Sequence, residues 1–369
     1  MNISKYKHPL LPFLFLLFLA LIQPGCSKEP IREKRIDPDT TTTASYQDGL
    51  FIVNEGNYNW GNASVTYVDN KTNTVIQDIF TKANNRSLGD VAESMVIVGD
   101  KGYLLINNSN RIEVVSMKDF SSLAVITGLY SPRYMHVVDS TKAYVTNLQN
   151  YISIIDLKKN IVSGRIQTTS WTERLVPFNN FMLVSSIGKF SESTARRLAR
   201  ILVIDTRTDS IVDSIESGKE PVGIVIDKKQ KVWVLCSGGY DQYEAPSLIR
   251  INPELRLVEK IFTFPDKAQI PSRLCINPGG DTMYYLKGDV YQMPVTSVAL
   301  PVEPLVSADG RLLYGLDVHP VTGKIYVSDA KDYVQNGTAC QYTVTGILVR
   351  EYPAGRIPGS FCFSESSAK

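Results

Sequence analysis

The sequence predicts an all-β protein, a seven-bladed β-propeller with four-stranded blades, on the basis of three observations. Short runs of Val, Ile and Tyr, separated by turn signals such as Pro-Gly and Asp-Lys, cover almost all of the chain after residue 48. One strand pattern recurs seven times at steps of roughly 40 to 50 residues, the spacing of propeller blades. Unpaired strand patterns at both ends of this region indicate how the ring closes.

The recurring pattern is an apolar strand that closes on a small or polar residue, and it predicts the third strand of each blade. Its copies are residues 65–69, 112–116, 152–156, 202–205, 248–252, 290–294 and, less distinctly, 341–345. The fifth blade shows the full unit, with strands at 221–226, 231–236, 247–252 and 257–262. Inner strands of the other blades are expected at 94–98, 133–137, 174–178, 273–276, 314–318 and 360–363.

The closure of the ring is predicted from the two ends of the repeat region. Residues 50–55 have the pattern of a second strand with no inner strand before them. Residues 360–363 have the pattern of an inner strand with no blade after them. Pairing these segments completes one blade and removes two exposed strand edges, which otherwise invite aggregation. Residues 49–369 are therefore expected to form one domain, because propellers grow by repetition.

The first 25 residues are expected to be a lipoprotein signal peptide. Lys5 and Lys7 precede an apolar run at 10–22, which at about 13 residues is shorter than the roughly 20 that a spanning helix needs. Cys26 follows a glycine after this run and is the expected site of cleavage and lipidation, with a plain secretory signal as the alternative. Residues 26–48, rich in Pro, Thr and charged side chains, are expected to be a flexible tether.

Charge and cysteine usage exclude some classes of function. Removal of the signal takes two lysines and no acid, which leaves 37 basic and 37 acidic residues and no visible basic patch for a nucleic acid. The four remaining cysteines lie in or beside apolar strand patterns, so buried free thiols are expected, with disulfides as the alternative. No Cys or His cluster has metal-binding spacing. The four are Cys236, Cys275, Cys340 and Cys362.

The candidate site follows from strand order. Connections from second to third strands and from outer to inner strands share one face, and here they are long and rich in Asn, Tyr, Trp and Arg. Aromatic rings with polar tips and forked donors suit a large polar ligand. The alternative is that the asparagines satisfy turns and three arginines at matching repeat positions line a wet channel. The predicted ligand-binding residues are Asn54, Glu55, Tyr58, Trp60, Asn107, Tyr130, Arg133, Asn147, Trp171, Arg174, Tyr240, Tyr243, Arg273 and Tyr333.

Binding rather than catalysis is expected, with no catalytic residue, metal or required cofactor. The sequence has no Gly-x-Ser-x-Gly elbow, no Ser/His/Asp grouping and no phosphate-binding glycine loop. His136 and His319, the two histidines after the signal, lie in different predicted blades. One oxygen-only set leaves a calcium-assisted hydrolase open as an alternative. Its members are Glu55, Asn107, Asn147 and Asp329.

The repeated Val-x-Val-Ile-Asp and Gly-x-x-Pro-x-Gly-Ile units resemble those of the YncE-like propeller lipoproteins of Bacteroidetes. The segment 50–57, followed by an aromatic residue and by Gly61 and Asn62, is similar to the start of the BtuG-type surface proteins. That group captures cobalamin and passes it to a TonB-dependent outer-membrane transporter. The Ser-Lys-Glu after Cys26 resembles the signal that sends Bacteroidetes lipoproteins to the cell surface.

The resemblance implies a monomeric outer-membrane lipoprotein that faces the cell exterior and touches the membrane through its lipid alone. Its implied ligand is cobalamin or another corrinoid, and its implied partner is a TonB-dependent transporter. No ligand contact is carried over residue by residue. A calcium-dependent lactonase-like hydrolase and a scaffold for a protein or glycan are the alternatives. The segment 188–200, with a helical turn expected at 194–199, departs from the blade pattern.

Overall fold

Seven antiparallel sheets, each forming one blade, make up most of the described chain. The computed structural model describes residues 46–188, 190–191, 196–197, 199–239 and 244–364. The predicted signal peptide, the lipidation site Cys26, the tether up to residue 45 and two predicted site residues, Tyr240 and Tyr243, lie outside these ranges. Within them, no helix is long and apolar enough to cross a membrane.

The strands follow the chain from blade to blade. The first blade contains β1 (Gly49–Asn54), β2 (Ser64–Asp69) and β3 (Val75–Ile76), and the helix α1 (Ile79–Asn84) follows. The second contains β4 (Ala92–Val98), β5 (Lys101–Ile106), β6 (Arg111–Ser116) and β7 (Ser122–Ile126). The third contains β8 (Pro132–Val137), β9 (Lys142–Asn147), β10 (Tyr151–Asp156) and β11 (Ile161–Gln167).

The remaining blades repeat this order. The fourth contains β12 (Thr172–Phe178) and β13 (Phe181–Ser186), the small β14 (Phe190–Ser191) and β15 (Arg196–Arg197), and then β16 (Arg200–Asp205) and β17 (Ser210–Glu216). The fifth contains β18 (Pro221–Ile226), β19 (Val232–Cys236), β20 (Ser247–Asn252) and β21 (Leu257–Thr263). The sixth contains β22 (Ser272–Ile276), β23 (Thr282–Lys287) and β24 (Asp289–Pro294). The seventh contains β25 (Leu313–Val318), β26 (Ile325–Asp329), β27 (Asn336–Tyr342) and β28 (Leu348–Arg356), and β29 (Pro358–Ser364) follows.

The ring closes as predicted, because β29 is the inner strand of the first blade. It pairs with β1 in the register Leu50 to Phe363, and the backbone N–H of Gly49 donates to Ser364 Oγ at 3.1 Å. Phe361 is buried in an apolar cluster with Leu50 and residues of the seventh blade. Each inner strand contacts the inner strands of the two neighbouring blades, which confirms the seven-bladed propeller.

The sixth blade varies the four-stranded pattern of the others. It has three strands, and only a bridge between Val290 and Val306 stands in for the fourth. Pro301 and Pro304 lie in the segment before this bridge, and proline provides no N–H for a ladder. The missing outer strand therefore has a local cause.

Three further details differ from the expectations. The third strand of the seventh blade is β27 and not residues 341–345, since Gly346 adopts a left-handed φ of 81° and the chain turns there. Helix α1 was not predicted, because its six residues are too few to show a helical period. In the segment 188–200, β14 pairs with β15 where a helical turn is expected. All four cysteines are free thiols, as predicted.

Candidate ligand-binding site

The site lies at one end of the central channel and is built from an irregularity that every inner strand shares. Each inner strand shifts register against its second strand near its first residues. Such a bulge re-aims the side chain at the shift. In six blades this side chain lines a single cavity of about 430 Å³, which we call the mouth. The six residues are Glu93, Arg133, Glu173, Val222, Arg273 and Tyr314.

In the first blade the equivalent residue is Gly359, and Glu55 from the end of β1 takes the vacant space. A Cβ atom on Gly359 would overlap Glu55 Oε1. The backbone N–H of Glu55 donates to the carbonyl of Ile357 at 2.9 Å, which fixes where its side chain begins. A glycine at this position therefore lets a carboxylate from the neighbouring strand enter the mouth.

Arg133 is held between two acids of the adjacent blades. Its Nε lies 3.0 Å from Glu173 Oε2, and its Nη1 donates to Glu93 Oε2. Glu93 also accepts a hydrogen bond of 2.7 Å from the Tyr134 hydroxyl. Burial opposes the charge of Arg133, but the carboxylates of Glu173 and Glu93 outweigh it and raise the pKa of Arg133 well above its usual value. The Arg133 guanidinium thus joins its own blade to the two adjacent blades.

Glu55, Arg273 and Tyr314 form a second group on the opposite side of the mouth. Tyr314 Oη donates to Glu55 Oε2 at 2.9 Å, while Arg273 Nη2 lies 3.5 Å from Glu55 Oε1. Burial, and then the charge of Glu93, raise the pKa of Glu55 to about 7, against the opposing effects of Arg273, the Tyr314 hydrogen bond and Arg133. Glu55 therefore changes charge near neutral pH, which an exposed glutamate does not.

Beneath the mouth the channel continues into a cavity of about 230 Å³, the lower cavity. Tyr134, Arg174 and Arg273 line both cavities and form the boundary between them. The Arg174 guanidinium carbon lies 3.7 Å from the centre of the Tyr134 ring. Asp317 lines the lower cavity, and burial raises its pKa to about 6 against the opposing effects of the Val318 N–H, Arg174 and Arg273.

Around the mouth, the connections of the predicted face carry exposed aromatic side chains. Among the described residues, five Tyr and Trp side chains are strongly exposed, from 43% for Tyr333 to 73% for Trp60. All five lie in second-to-third or outer-to-inner connections, and we call them the rim. Hydrogen bonds join these connections, as from Asn57 Nδ2 to the Tyr333 carbonyl at 2.5 Å. The rim residues are Tyr58, Trp60, Tyr130, Trp171 and Tyr333.

The three predicted asparagines are buried, and each donates hydrogen bonds within the fold. Asn54 donates to Ser64 and Thr66 of its own blade, and its oxygen accepts from the Gly355 N–H at 2.9 Å. Asn107 donates to the Pro132 carbonyl at 3.2 Å. Asn147 donates to the Val145 carbonyl at 2.9 Å. A strand-end amide satisfies backbone groups when it turns inward.

The oxygen-only set proposed for calcium does not come together as a site. Two members are the asparagines just described. Asp329 Oδ1 accepts from the backbone N–H groups of Leu312 and Lys331, at 3.0 and 2.8 Å, and thereby orders a turn. Within the described ranges, no group of three or more His, Cys, Asp or Glu side chains is placed to hold a metal ion.

The arginines need one correction. Arg133 and Arg273 occupy the same position in their blades, but Arg174 is one residue later, and Glu173 holds the position that Arg174 was expected to share. Sequence reasoning also missed four site residues. A signal was present for three of these, since they fall at the repeat position of Arg133. The four are Glu93, Tyr134, Glu173 and Tyr314.

Comparison with protein families gives one match over most of the chain. A sequence profile described as "Domain of unknown function (DUF5074)" matches residues 48–354. No curated protein matches the sequence.

Solved structures give the fold. A quinonprotein alcohol dehydrogenase-like protein from Bacteroides thetaiotaomicron is 16% identical, with a TM-score of 0.64 over 87% of this chain and 79% of that chain. A protein from Bacteroides fragilis, provisionally described as a 6-phosphogluconolactonase, is 12% identical, with a TM-score of 0.62 over 89% and 100% of the two chains. Hydrazine synthase of Kuenenia stuttgartiensis is 15% identical, with a TM-score of 0.55 over 73% and 87%. At such identities the likeness extends to the fold alone.

Proposed function

Since the chain belongs to the DUF5074 family, a domain of unknown function, we propose its role from the site itself. It captures a large polar ligand, a corrinoid such as cobalamin, across the mouth of the propeller, and it binds this ligand without turnover. The observation that carries the proposal is the rim. Every strongly exposed aromatic side chain of the described residues lies on one face, around one charged cavity.

An exposed Trp or Tyr leaves apolar surface in water, so five of them on one face indicate a surface that a ligand covers. Two of them, Trp60 and Tyr58, are 73% and 68% exposed and belong to the same connection. Rigid aromatic side chains give a large contact area at a low cost in conformational entropy, and their polar tips accept or donate hydrogen bonds. The opposite face carries no such aromatic among the described residues.

The charged mouth fits the periphery of a corrinoid better than it fits an apolar ligand. A corrinoid carries amide side chains and a phosphate around a flat ring. A whole corrinoid is larger than a drug-sized ligand and would not fit in a cavity of about 430 Å³, so its ring would lie on the rim while a peripheral group enters the mouth. There Arg273 and Glu55 present a donor and an acceptor about 3.5 Å apart.

The remaining parts of the proposal rest on the sequence. The signal-like start, Cys26 and the YncE-like and BtuG-type resemblance support an outer-membrane lipoprotein that faces the exterior and delivers its ligand to a TonB-dependent transporter. A calcium-assisted, lactonase-like hydrolase has weaker support, because Asp329 Oδ1 already accepts hydrogen bonds from the backbone N–H groups of Leu312 and Lys331.

The test is isothermal titration of residues 27–369 with cyanocobalamin, with and without a calcium chelator. Binding that is insensitive to chelation is expected. Trp60→Ala and Tyr130→Ala should each weaken it by about tenfold, since each removes a large contact from the rim. Leu255→Ala is the matched control, because Leu255 is 66% exposed in a turn on the opposite face. Absence of binding at micromolar concentrations, or equal effects of rim and control variants, would overturn the proposal.

A further inference from the structure

Two arginines at the boundary of the mouth and the lower cavity have donors that the fold does not use. Among the described residues, the side chain of Arg174 makes no ion pair and no hydrogen bond, and its guanidinium only stacks on the Tyr134 ring. Forked guanidinium donors match the oxygens of carboxylates and phosphates. We propose that the lower cavity is a binding site for a small oxyanion, a phosphate or carboxylate group, held between Arg174 and Arg273.

The Tyr134 ring fixes Arg174 in place without neutralising it. Its hydroxyl is engaged by Glu93 at 2.7 Å, so the ring cannot rotate away. The guanidinium carbon of Arg174 lies 3.7 Å from the ring centre, within cation–π range. The charge is therefore held at the channel axis with its N–H groups available, which is the arrangement that lowers the entropy cost of binding an anion.

Arg273 is only partly engaged. Its Nε donates to the Tyr314 carbonyl at 3.1 Å, while Nη1 and Nη2 have only contacts of 3.5 Å, to Tyr134 Oη and Glu55 Oε1. Its backbone φ of 56° is left-handed, a conformation that costs a non-glycine residue roughly 1–2 kcal/mol. Strain of this kind concentrates at functional positions, where it aims a side chain.

Arg133 provides the contrast within the same channel. Both acids beside it, Glu93 and Glu173, are bonded to its guanidinium, so its charge is already balanced by carboxylates. It also lines the mouth but not the lower cavity. The arginines of the channel thus divide into one that joins blades and two that face open space.

The size of the lower cavity limits what it can take. About 230 Å³ is below the roughly 300–1,000 Å³ of cavities that enclose drug-sized ligands, but it is ample for one oxyanion with water. The anion has two sources, a free ion or an anionic group carried by a ligand on the rim. Both present the same oxygens to the arginines, and the existence of the site does not depend on the ligand proposed above.

Acidic groups that face this space set the balance of charge. Asp317 from β25 lines the lower cavity, and Glu55 from the end of β1 lines the mouth above it. The charge of each would oppose an incoming anion. Cys275 and Cys362, on β22 and β29, also adjoin Asp317, and burial raises the pKa of both thiols so that they stay neutral. Binding of an oxyanion should therefore be accompanied by proton uptake.

The experiment is isothermal titration of residues 27–369 with inorganic phosphate in a low-chloride buffer. Arg174→Gln should weaken binding by about ten- to hundredfold, the effect of a lost charge-assisted hydrogen bond, and Arg174→Lys by less. Arg165→Gln is the matched control, because Arg165 also stacks on a tyrosine, Tyr151 at 4.6 Å, but lies outside the channel. A melting temperature for each variant verifies folding.

Two outcomes would overturn the inference: no binding of phosphate at millimolar concentrations, or binding by Arg174→Gln that equals the unmodified protein. A titration of cyanocobalamin with and without saturating phosphate then separates the sources. Competition would assign the anion to the ligand itself, and simultaneous binding would assign it to a free ion. If cyanocobalamin fails to bind while phosphate binds through Arg174, the proposed function fails and the oxyanion site stands.

Discussion

Arg133 donates to Glu173 across the boundary between the third and fourth blades, with 3.0 Å between Nε and Oε2. The two residues are 40 positions apart, as are Arg133 and Glu93 on the other side. Three consecutive blades thus present a carboxylate, a guanidinium and a carboxylate at one repeat position. Like charges at these positions would repel one another in a buried space, so the alternation itself stabilises the contact between neighbouring blades.

Removal of one acid should leave Arg133 with a buried, partly compensated charge. Glu93→Gln is expected to lower the free energy of unfolding by about 2–3 kcal/mol, measured by chemical denaturation. Asp213→Asn is the control, since Asp213 pairs with Arg256 on the surface and both side chains are about 40% exposed. The control should lose less than about 1 kcal/mol. Equal losses would mean that the buried arrangement contributes nothing beyond a surface pair.

The raised pKa of Glu55 makes stability depend on pH. Its pKa is about 7 in the fold and near 4.5 in the unfolded chain, so the folded state binds more protons between these values. Stability from this group is therefore present at low pH and declines as pH rises through about 7. Glu55→Gln should gain stability relative to the unmodified protein between pH 5 and pH 8, by on the order of 2 kcal/mol. A difference that stays flat across this range would contradict the assignment.

Anion binding should follow the charge of Asp317. The pKa of Asp317 is about 6, so below that pH the carboxyl is neutral and no longer opposes an anion beside Arg174. Sulfate is the suitable probe, because its own charge is constant between pH 5 and pH 8. Its affinity should rise several-fold from pH 7.5 to pH 5.5. Asp317→Asn should bind sulfate as tightly at pH 7.5 as at pH 5.5, apart from the change due to Glu55. A dependence of sulfate affinity on pH equal to that of the unmodified protein would refute the role of Asp317.

The closing strand should control the cooperativity of unfolding. Phe361→Ala removes a large side chain that is 6% exposed, and it should cost about 3–5 kcal/mol in chemical denaturation. Val349→Ala, on the outer strand β28 with 48% exposure, should cost less than about 0.5 kcal/mol. Termination of the chain after residue 357 should abolish a single cooperative transition, because β1 would then lose the inner strand that closes the ring. A sharp transition in the shortened chain would show that β29 is dispensable.

The sequence predicts this fold well because the signals of a blade are local. In the fifth blade the predicted segments 221–226 and 247–252 coincide with β18 and β20. The site was predicted less well, because it depends on where strand-end side chains point. The structure places Arg133 and Arg273 at the mouth, whereas Asn147 turns inward and donates to the Val145 carbonyl, a direction that composition does not reveal. The acid Glu93 was missed although its distance from Arg133 equals one repeat.

Gly359 gives the closure of the ring a consequence for ligand capture. Glu55 enters the mouth only where the strand containing Gly359 lies beside β1, and that pairing joins residues 315 positions apart, as Gly49 and Ser364 are. Forming such a distant contact is a slow part of folding. A molecule that binds both Glu55 and Arg273 would bind only the closed ring. It would therefore stabilise the pairing of β29 with β1 by mass action. The fraction of protein with bound ligand and the resistance of the ring to opening would then both rise with ligand concentration.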